Sequence, residues 1–178
     1  KIVEIKAMSR EPGERTKIAV YSNNEKIDAL GACVGMKGIR IQSVVRELNN
    51  EKIDIIPWTE DILELTARAM SPAKVKRVIE NKYVKNSLFV IVEPDQLSVA
   101  IGKNGQNVKL ASRLVDRDID LMTEEEYQIE SQRLERAYGS LKDVPEIEEG
   151  VKQKLMNAGL KRPVDVVEAK LNDLVNIL

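Results

Sequence analysis

Displacing the chain by 67 residues lays DALGACVGMKGIRIQSVVREL (28–48) over DQLSVAIGKNGQNVKLASRLV (95–115). Asp28 meets Asp95, Leu30 meets Leu97, Val34 meets Ile101 and Arg46 meets Arg113. Gly35 meets Gly102 and Gly38 meets Gly105, so each copy keeps two glycines three apart. IDII at 53–56 answers IDLM at 119–122 after a one-residue slip. Units this short, repeated end to end, predict a tandem duplication, and what one copy folds into the other must also form.

Each copy reads as β-β-α-α-β. In the first, KIVEIKAMS alternates with Val3, Ile5 and Ala7 on one side, REPGER turns, and TKIAVYS returns. In the second, VKRVIENKYV, KNS and LFVIVE serve as strand, turn and strand. Asp28 and Asp95 are placed as N-caps of a short helix. After the glycines, Ile41, Val44, Val45 and Leu48 fall on one helical stripe, as do Val108, Ala111 and Val115. TEDILELTARAM predicts a helix leading the second copy, and Pro72 a further short helical start. No such leader precedes the first copy. The chain opens on Lys1 rather than Met, so a longer protein is expected, with that helix upstream. PWTED leaves almost no linker, so the copies are expected to pack rigidly.

A G-x-x-G turn between helices has a physical use. Glycine lacks Cβ, so it reaches unusual φ/ψ and lets another backbone come close. The next helix presents free N–H groups and a positive dipole end. Lys37 with Arg40, and Lys103 with Asn104, add groups that seek phosphate or donate hydrogen bonds there. KH domains clamp single-stranded nucleic acid in this way, the loop holding about four backbone nucleotides. One such glycine pair is weak evidence, and a duplicated helix-turn-helix without a ligand is the bland alternative. Two copies in one α-GxxG-α-β frame, each with a lysine, favour the clamp. Gly31, Gly35 and Gly38 give G-x-x-x-G-x-x-G, which is not the dinucleotide pattern, and no Lys-Ser or Lys-Thr makes a nucleotide P-loop.

The chain has 178 residues, 43% hydrophobic and 32% charged, with no apolar run of the roughly 18 residues that a membrane span needs and no visible signal peptide. Its one cysteine, Cys33, permits no internal disulfide and fits a reducing compartment. The absence of histidine removes His-based triads and His metal sites. Residues 1–123 hold 20 Lys+Arg against 17 Asp+Glu, a balance of +3, and residues 124–178 hold 8 against 12, a balance of −4. DRDID (116–120) lacks the glycine and the final glutamate of a calcium loop. No carboxylates form a recognisable acid–base pair, so no enzyme, cofactor or metal site is expected.

REPGERTKIAV, IDALGACVGMKGIRIQSVVREL, EKIDIIPWTED and LSVAIGKNGQNVKLASRLV closely resemble the bacterial NusA family of transcription elongation, termination and antitermination factors, over residues 1–126. The resemblance implies an α+β chain with two tandem bacterial-type (type II) KH domains packed as a rigid pair. They would span 1–59, with its leading helix missing, and 60–125. It implies upstream OB-fold and polymerase-binding domains, nascent single-stranded RNA and RNA polymerase as partners, and a cytoplasmic location. Carried over, Gly35, Met36, Lys37 and Gly38 form one clamp, and Gly102, Lys103, Asn104 and Gly105 the other.

Arg40 and Lys109 are further candidates for RNA contact. Gln42, Arg46, Gln106, Asn107 and Arg113 could line a groove or be solvated surface. IDII and IDLM are candidate base-reading strands. Met36 could meet a sugar or base, or only its neighbours. Trp58 reads as core between the copies, and Cys33 as a small buried residue.

Residues 126–178 are expected to be a linker helix and a small all-α, helix-hairpin-helix-like module. TEEEYQIESQRLERAYG opens with a capping box, Thr123 to Glu126, and ends at Gly139. Val144, Ile147, Val151 and Leu155 make one stripe, Gly159 stops it, and Val164, Val167, Leu171 and Leu174 make another. Glu146 stands where such modules carry a glycine for DNA phosphate, which with the negative balance argues against DNA binding and for a protein-docking or structural role; the family resemblance implies a regulatory protein as a partner there. Two alternatives stay open: a KH module of a ribosome-assembly or RNA-decay protein, and a protein-interaction scaffold acting through the acidic tail.

Overall fold

The first hairpin pairs β1 (Val3–Glu11) with β2 (Arg15–Ser22), antiparallel, and β3 (Lys52–Pro57) then runs parallel to β2. Between β2 and β3 lie α1 (Ala29–Val34), a single 3-10 turn (Met36–Gly38) and α2 (Ile39–Glu47). The second copy repeats the order with β4 (Val75–Glu80), β5 (Ser87–Val92), α4 (Leu97–Ile101), a 3-10 turn (Lys103–Gly105), α5 (Gln106–Val115) and β6 (Asp118–Met122). The sheets run β1-β2-β3 and β4-β5-β6. Each first strand carries a register shift at the same place, Ile5/Ala7 and Val75/Arg77, so the duplication extends to an irregularity. The computed structural model describes residues 2–177; Lys1 and Leu178, the outer ends of the expected first strand and tail, lie outside the described residues. Those residues divide into two compact units between Glu124 and Glu125.

In the first unit both sheets share one core. Ala19 and Ile56 of the first sheet cluster with Leu65, Ala69, Val90, Val92, Ala111 and Leu114 of the second copy. Two of these belong to α3 (Ile62–Ala69), the leading helix, capped by Asp61, which accepts from the Leu63 and Glu64 N–H groups. α5 packs on α3 and also on β1 and β2. β5 is buried along all six residues, as a strand covered on both faces requires. Trp58 packs against this core at the junction.

Polar ties cross the same joint. Lys17 is fully buried, and its Nζ donates to Asp54 Oδ2 at 2.9 Å and to Ser71 O at 2.7 Å. Arg68 Nη1 donates to Pro57 O at 3.0 Å. Burial depresses the Lys17 pKa despite its partner. Burial works against the Asp54 carboxylate too, but Arg15 and Lys17 outweigh it and hold its pKa below the usual range. Each fully buried large aliphatic side chain contributes about 1.5–3 kcal/mol, whereas a buried ion pair often nets little. The apolar core therefore carries the joint, and the ties fix how it meets. Nearby, Arg10, Thr16 and the Gly13 N–H all donate to the buried Glu51 carboxylate, which holds its pKa down at about 2.

The copies differ where α3 acts. Val75 and Val78 stand opposite Val92 and Val90 and pack on the core that includes Leu65 and Ala69. Their counterparts Ile5 and Met8, opposite Val20 and Ile18, are 63% and 59% exposed. Val44, expected on the buried stripe of α2, is 45% exposed, while its repeat partner Ala111 is fully buried. The reason is that α3 lies beside α5, and no described residues place a helix beside α2 in that way.

Three local expectations are corrected. Asp28 caps α1 by accepting from the Leu30 and Gly31 N–H groups, but Asp95 lies inside a 3-10 turn (Pro94–Gln96) that Pro94 starts early, and α4 begins after it. Residues 70–73 form tight turns, with Ser71 N–H on Arg68 O and Ala73 N–H on Met70 O, so Pro72 starts no helix. The fourth strand stops at Glu80 because the Asn81 side chain accepts from the Tyr83 and Val84 N–H groups and turns the chain.

The second unit is helical: α6 (Glu124–Tyr138), a 3-10 turn (Leu141–Asp143), α7 (Glu149–Asn157), α8 (Pro163–Glu168) and α9 (Leu171–Ile177). Leu134, Leu141 and Leu155 are buried. Gly159, at φ 94°, ends α7 as expected. Val144 and Ile147 precede that helix rather than belonging to it. The last stripe does not hold, because extended backbone at Ala169 breaks the helix and leaves Val167 and Leu171 84% and 75% exposed. No helix among the described residues is long and apolar enough to cross a membrane.

Candidate nucleic-acid interface

The two glycine loops have nearly the same backbone. Gly35 lies at φ 73°, ψ 172° and Gly102 at φ 73°, ψ 174°. Gly38 and Gly105, at φ 77° and 72°, are left-handed. Between them Lys37 and Asn104 also take the left-handed region, at φ 53° and 54°. Each first glycine closes the helix before it, Gly35 N–H on Gly31 O and Gly102 N–H on Ser98 O. A Cβ on Gly35 would lie 2.8 Å from Arg40 Cγ, and one on Gly102 would lie 2.8 Å from Asn107 Cβ. Both glycines are therefore required by conformation and by close approach.

The helix starts behind the loops suit an anion. α2 and α5 begin directly after Gly38 and Gly105, with no side-chain cap and no acidic residue in the first turn. Their first N–H groups have no intrahelical partner and sit at the positive end of the dipole. Met36, Lys37, Lys103 and Asn104 are exposed at the loop tips, Met36 by 81%.

Arg40 and Asn107 hold the same repeat position and do related work. Arg40 Nη1 donates to Ala32 O at 2.8 Å and stays exposed, so it braces the first loop and still faces solvent. Asn107 is fully buried, and its Nδ2 donates to Ala100 O and Met70 O, both at 3.0 Å. It ties the helix before the second loop to the end of α3. Asn107 is thus a loop brace rather than groove surface, a role that polarity alone does not signal. Lys109 Nζ reaches Asn104 O at 3.3 Å and stands over the second loop. Arg46 and Arg113 are exposed farther along their helices.

Beside the second loop an open cleft of about 480 Å³ runs between α5 and β6, lined by Lys109, Ser112, Asp118, Ile119 and Asp120 among others. Ser87 Oγ donates to Asp120 Oδ2 at 3.0 Å. In the first copy the matching Asp54 is engaged instead by Arg15, at 2.7 and 3.0 Å, and by Lys17.

Residues 1–58 match the model of the NusA-like first KH domain, and residues 62–129 that of the NusA-like second KH domain. Proteins named transcription termination/antitermination protein NusA are similar along the chain. That of Halalkalibacterium halodurans is 50% identical over 126 residues, 71% of this chain and 33% of the relative. That of Borreliella burgdorferi is 48% identical over 126 residues, 71% of this chain and 26% of the relative. That of Rickettsia prowazekii is 33% identical over 183 residues, covering 99% of this chain and 36% of the relative. The chain thus spans about a quarter to a third of the length of the relatives it matches.

Proposed function

Because this chain is NusA-like, with both NusA-type KH domains in tandem, we propose that its two glycine loops clamp single-stranded RNA by the backbone, within a cytoplasmic transcription termination/antitermination factor that acts on RNA polymerase. The observation that carries the reading is the doubled loop: same dihedrals, an exposed lysine in each, and an uncapped helix N-terminus behind each. In the first clamp, Gly35, Met36, Lys37 and Gly38 hold the strand and Arg40 adds charge. In the second, Gly102, Lys103, Asn104 and Gly105 do so and Lys109 adds charge. No step of chemistry is assigned to any residue. The helical tail, with its negative balance and with Val167, Leu171 and Val175 exposed, serves protein docking rather than RNA contact.

The test is titration of a labelled single-stranded RNA at several salt concentrations. Each phosphate neutralised on a single strand contributes about −0.7 to the slope of log affinity against log salt. Lys37, Arg40, Lys103 and Lys109 together give a slope of about −3, or roughly a fiftyfold loss between 50 and 200 mM salt. A chain ending at Thr123 keeps the same affinity. Salt-independent binding, or loss of binding with the tail, contradicts the reading.

A further inference from the structure

We infer that Asn107 is a positioning residue for the second clamp, and that through it the second glycine loop hangs from the joint between the two KH domains; this rests on the RNA-clamp reading above. α4 (Leu97–Ile101) is so short that its last carbonyls have no partner within the helix. Gly102 N–H takes Ser98 O, and Asn107 Nδ2 takes Ala100 O at 3.0 Å. The same Nδ2 donates to the carbonyl of Met70, the residue that ends α3. Met70 and Ala100 are fully buried in the core that both domains share. The next carbonyl of that turn, Ser71 O, is held by Lys17 of the first domain at 2.7 Å. Adjacent carbonyls of one turn are thus tied to the first domain on one side and to the second loop on the other.

Gly102 rests on the same residue. A Cβ there would lie 2.8 Å from Asn107 Cβ and 3.0 Å from the Asn107 backbone nitrogen. Asn107 therefore fixes the entry to the loop twice, by its side-chain amide and by its backbone. It is fully buried, so it acts on RNA only through the loop. Its Oδ1 is buried without a hydrogen-bond partner among the described residues. Burying that acceptor works against stability, so the two bonds its Nδ2 donates are what the amide contributes. Arg40, at the same repeat position, reaches only Ala32 O of its own domain and stays exposed. The first loop is thus braced from within its domain and the second from the joint. A loop held in place before the strand arrives has less order left to gain on binding, and it grips more tightly for that reason.

Two chains isolate the clamps: Met36→Asp with Lys37→Asp leaves the second, and Lys103→Asp with Asn104→Asp leaves the first. Asn107→Ala is added to each. Alanine suits helix α5 and keeps the Cβ on which Gly102 rests, so only the amide is lost. Circular dichroism checks the fold, and a labelled unstructured single-stranded RNA reports affinity. In the chain with the second clamp, affinity is expected to fall about tenfold, the worth of one hydrogen bond to a charged group. In the chain with the first clamp it falls by less than about twofold, as for an independent site. Damage to the fold at large would lower both alike. If Asn107→Ala does not fold, Asn107→Ser, whose hydroxyl can still donate one bond, is read by the same two comparisons. A folded variant that binds through the second clamp as before, or loses affinity equally in both chains, overturns the inference while the RNA clamp stands. No RNA binding by the chain with both loops intact overturns the clamp reading and this inference with it.

Discussion

A chain carrying Met36→Asp, Lys37→Asp, Lys103→Asp and Asn104→Asp keeps its circular dichroism spectrum and loses single-stranded RNA affinity by about a hundredfold or more. All four side chains are exposed, so no packing is lost. Positions 37 and 104 are left-handed, and aspartate is among the residues that tolerate that region. The four changes remove two positive charges and set four negative ones where phosphates are to sit. Repulsion then adds to the lost attraction, and two or three kcal/mol already amounts to about a hundredfold. The salt slope becomes shallower by about 1.4, the share of two phosphates on a single strand. A folded variant that binds RNA as before places the RNA site away from the loops.

Asp54→Ala is expected to lower unfolding free energy by about 3–5 kcal/mol, the cost of leaving a buried charge without its partner. Lys17 is fully buried and cannot turn its ammonium to water, and Asp54 is its carboxylate partner. Arg15, the other partner of Asp54, is 15% exposed and loses less. Adding Lys17→Met removes the stranded charge and keeps an unbranched chain in the same space, so the double variant recovers most of the loss. The two domains share one core and Lys17 also holds Ser71 O, so both should unfold in one transition at a lower urea midpoint. A double variant no better than Asp54→Ala would show that lost packing, not the stranded charge, sets the cost.

The duplication and its glycine loops were legible because their causes are local. Gly35 and Gly102 lie at positive φ with a neighbour packed where a Cβ would sit, Gly38 and Gly105 are left-handed, and the same pair at one spacing, twice, leaves little freedom. The strand order followed from alternation and the helix order from periodicity. The features that were not legible depend on neighbours distant in the chain. Lys17 looks like any surface lysine, and its burial follows from the second domain closing over it. Asn107 looks like groove lining until α3 supplies Met70 O beside it. Val44 fits a buried stripe, but the helix that buries Ala111 has no described counterpart there. In the tail, Val164 to Leu174 keep helical spacing across Ala169, and a spacing rule does not register one extended residue that resets the phase.

The most direct measurement is the amide spectrum of the ¹⁵N-labelled chain as a single-stranded RNA is added. If the glycine loops grip the phosphate backbone, the amides of Gly35 to Ile39 and of Gly102 to Gln106 shift most, since those N–H groups meet the anion. Largest shifts confined to residues 126–178, with both loops unmoved at saturating RNA, would contradict the clamp.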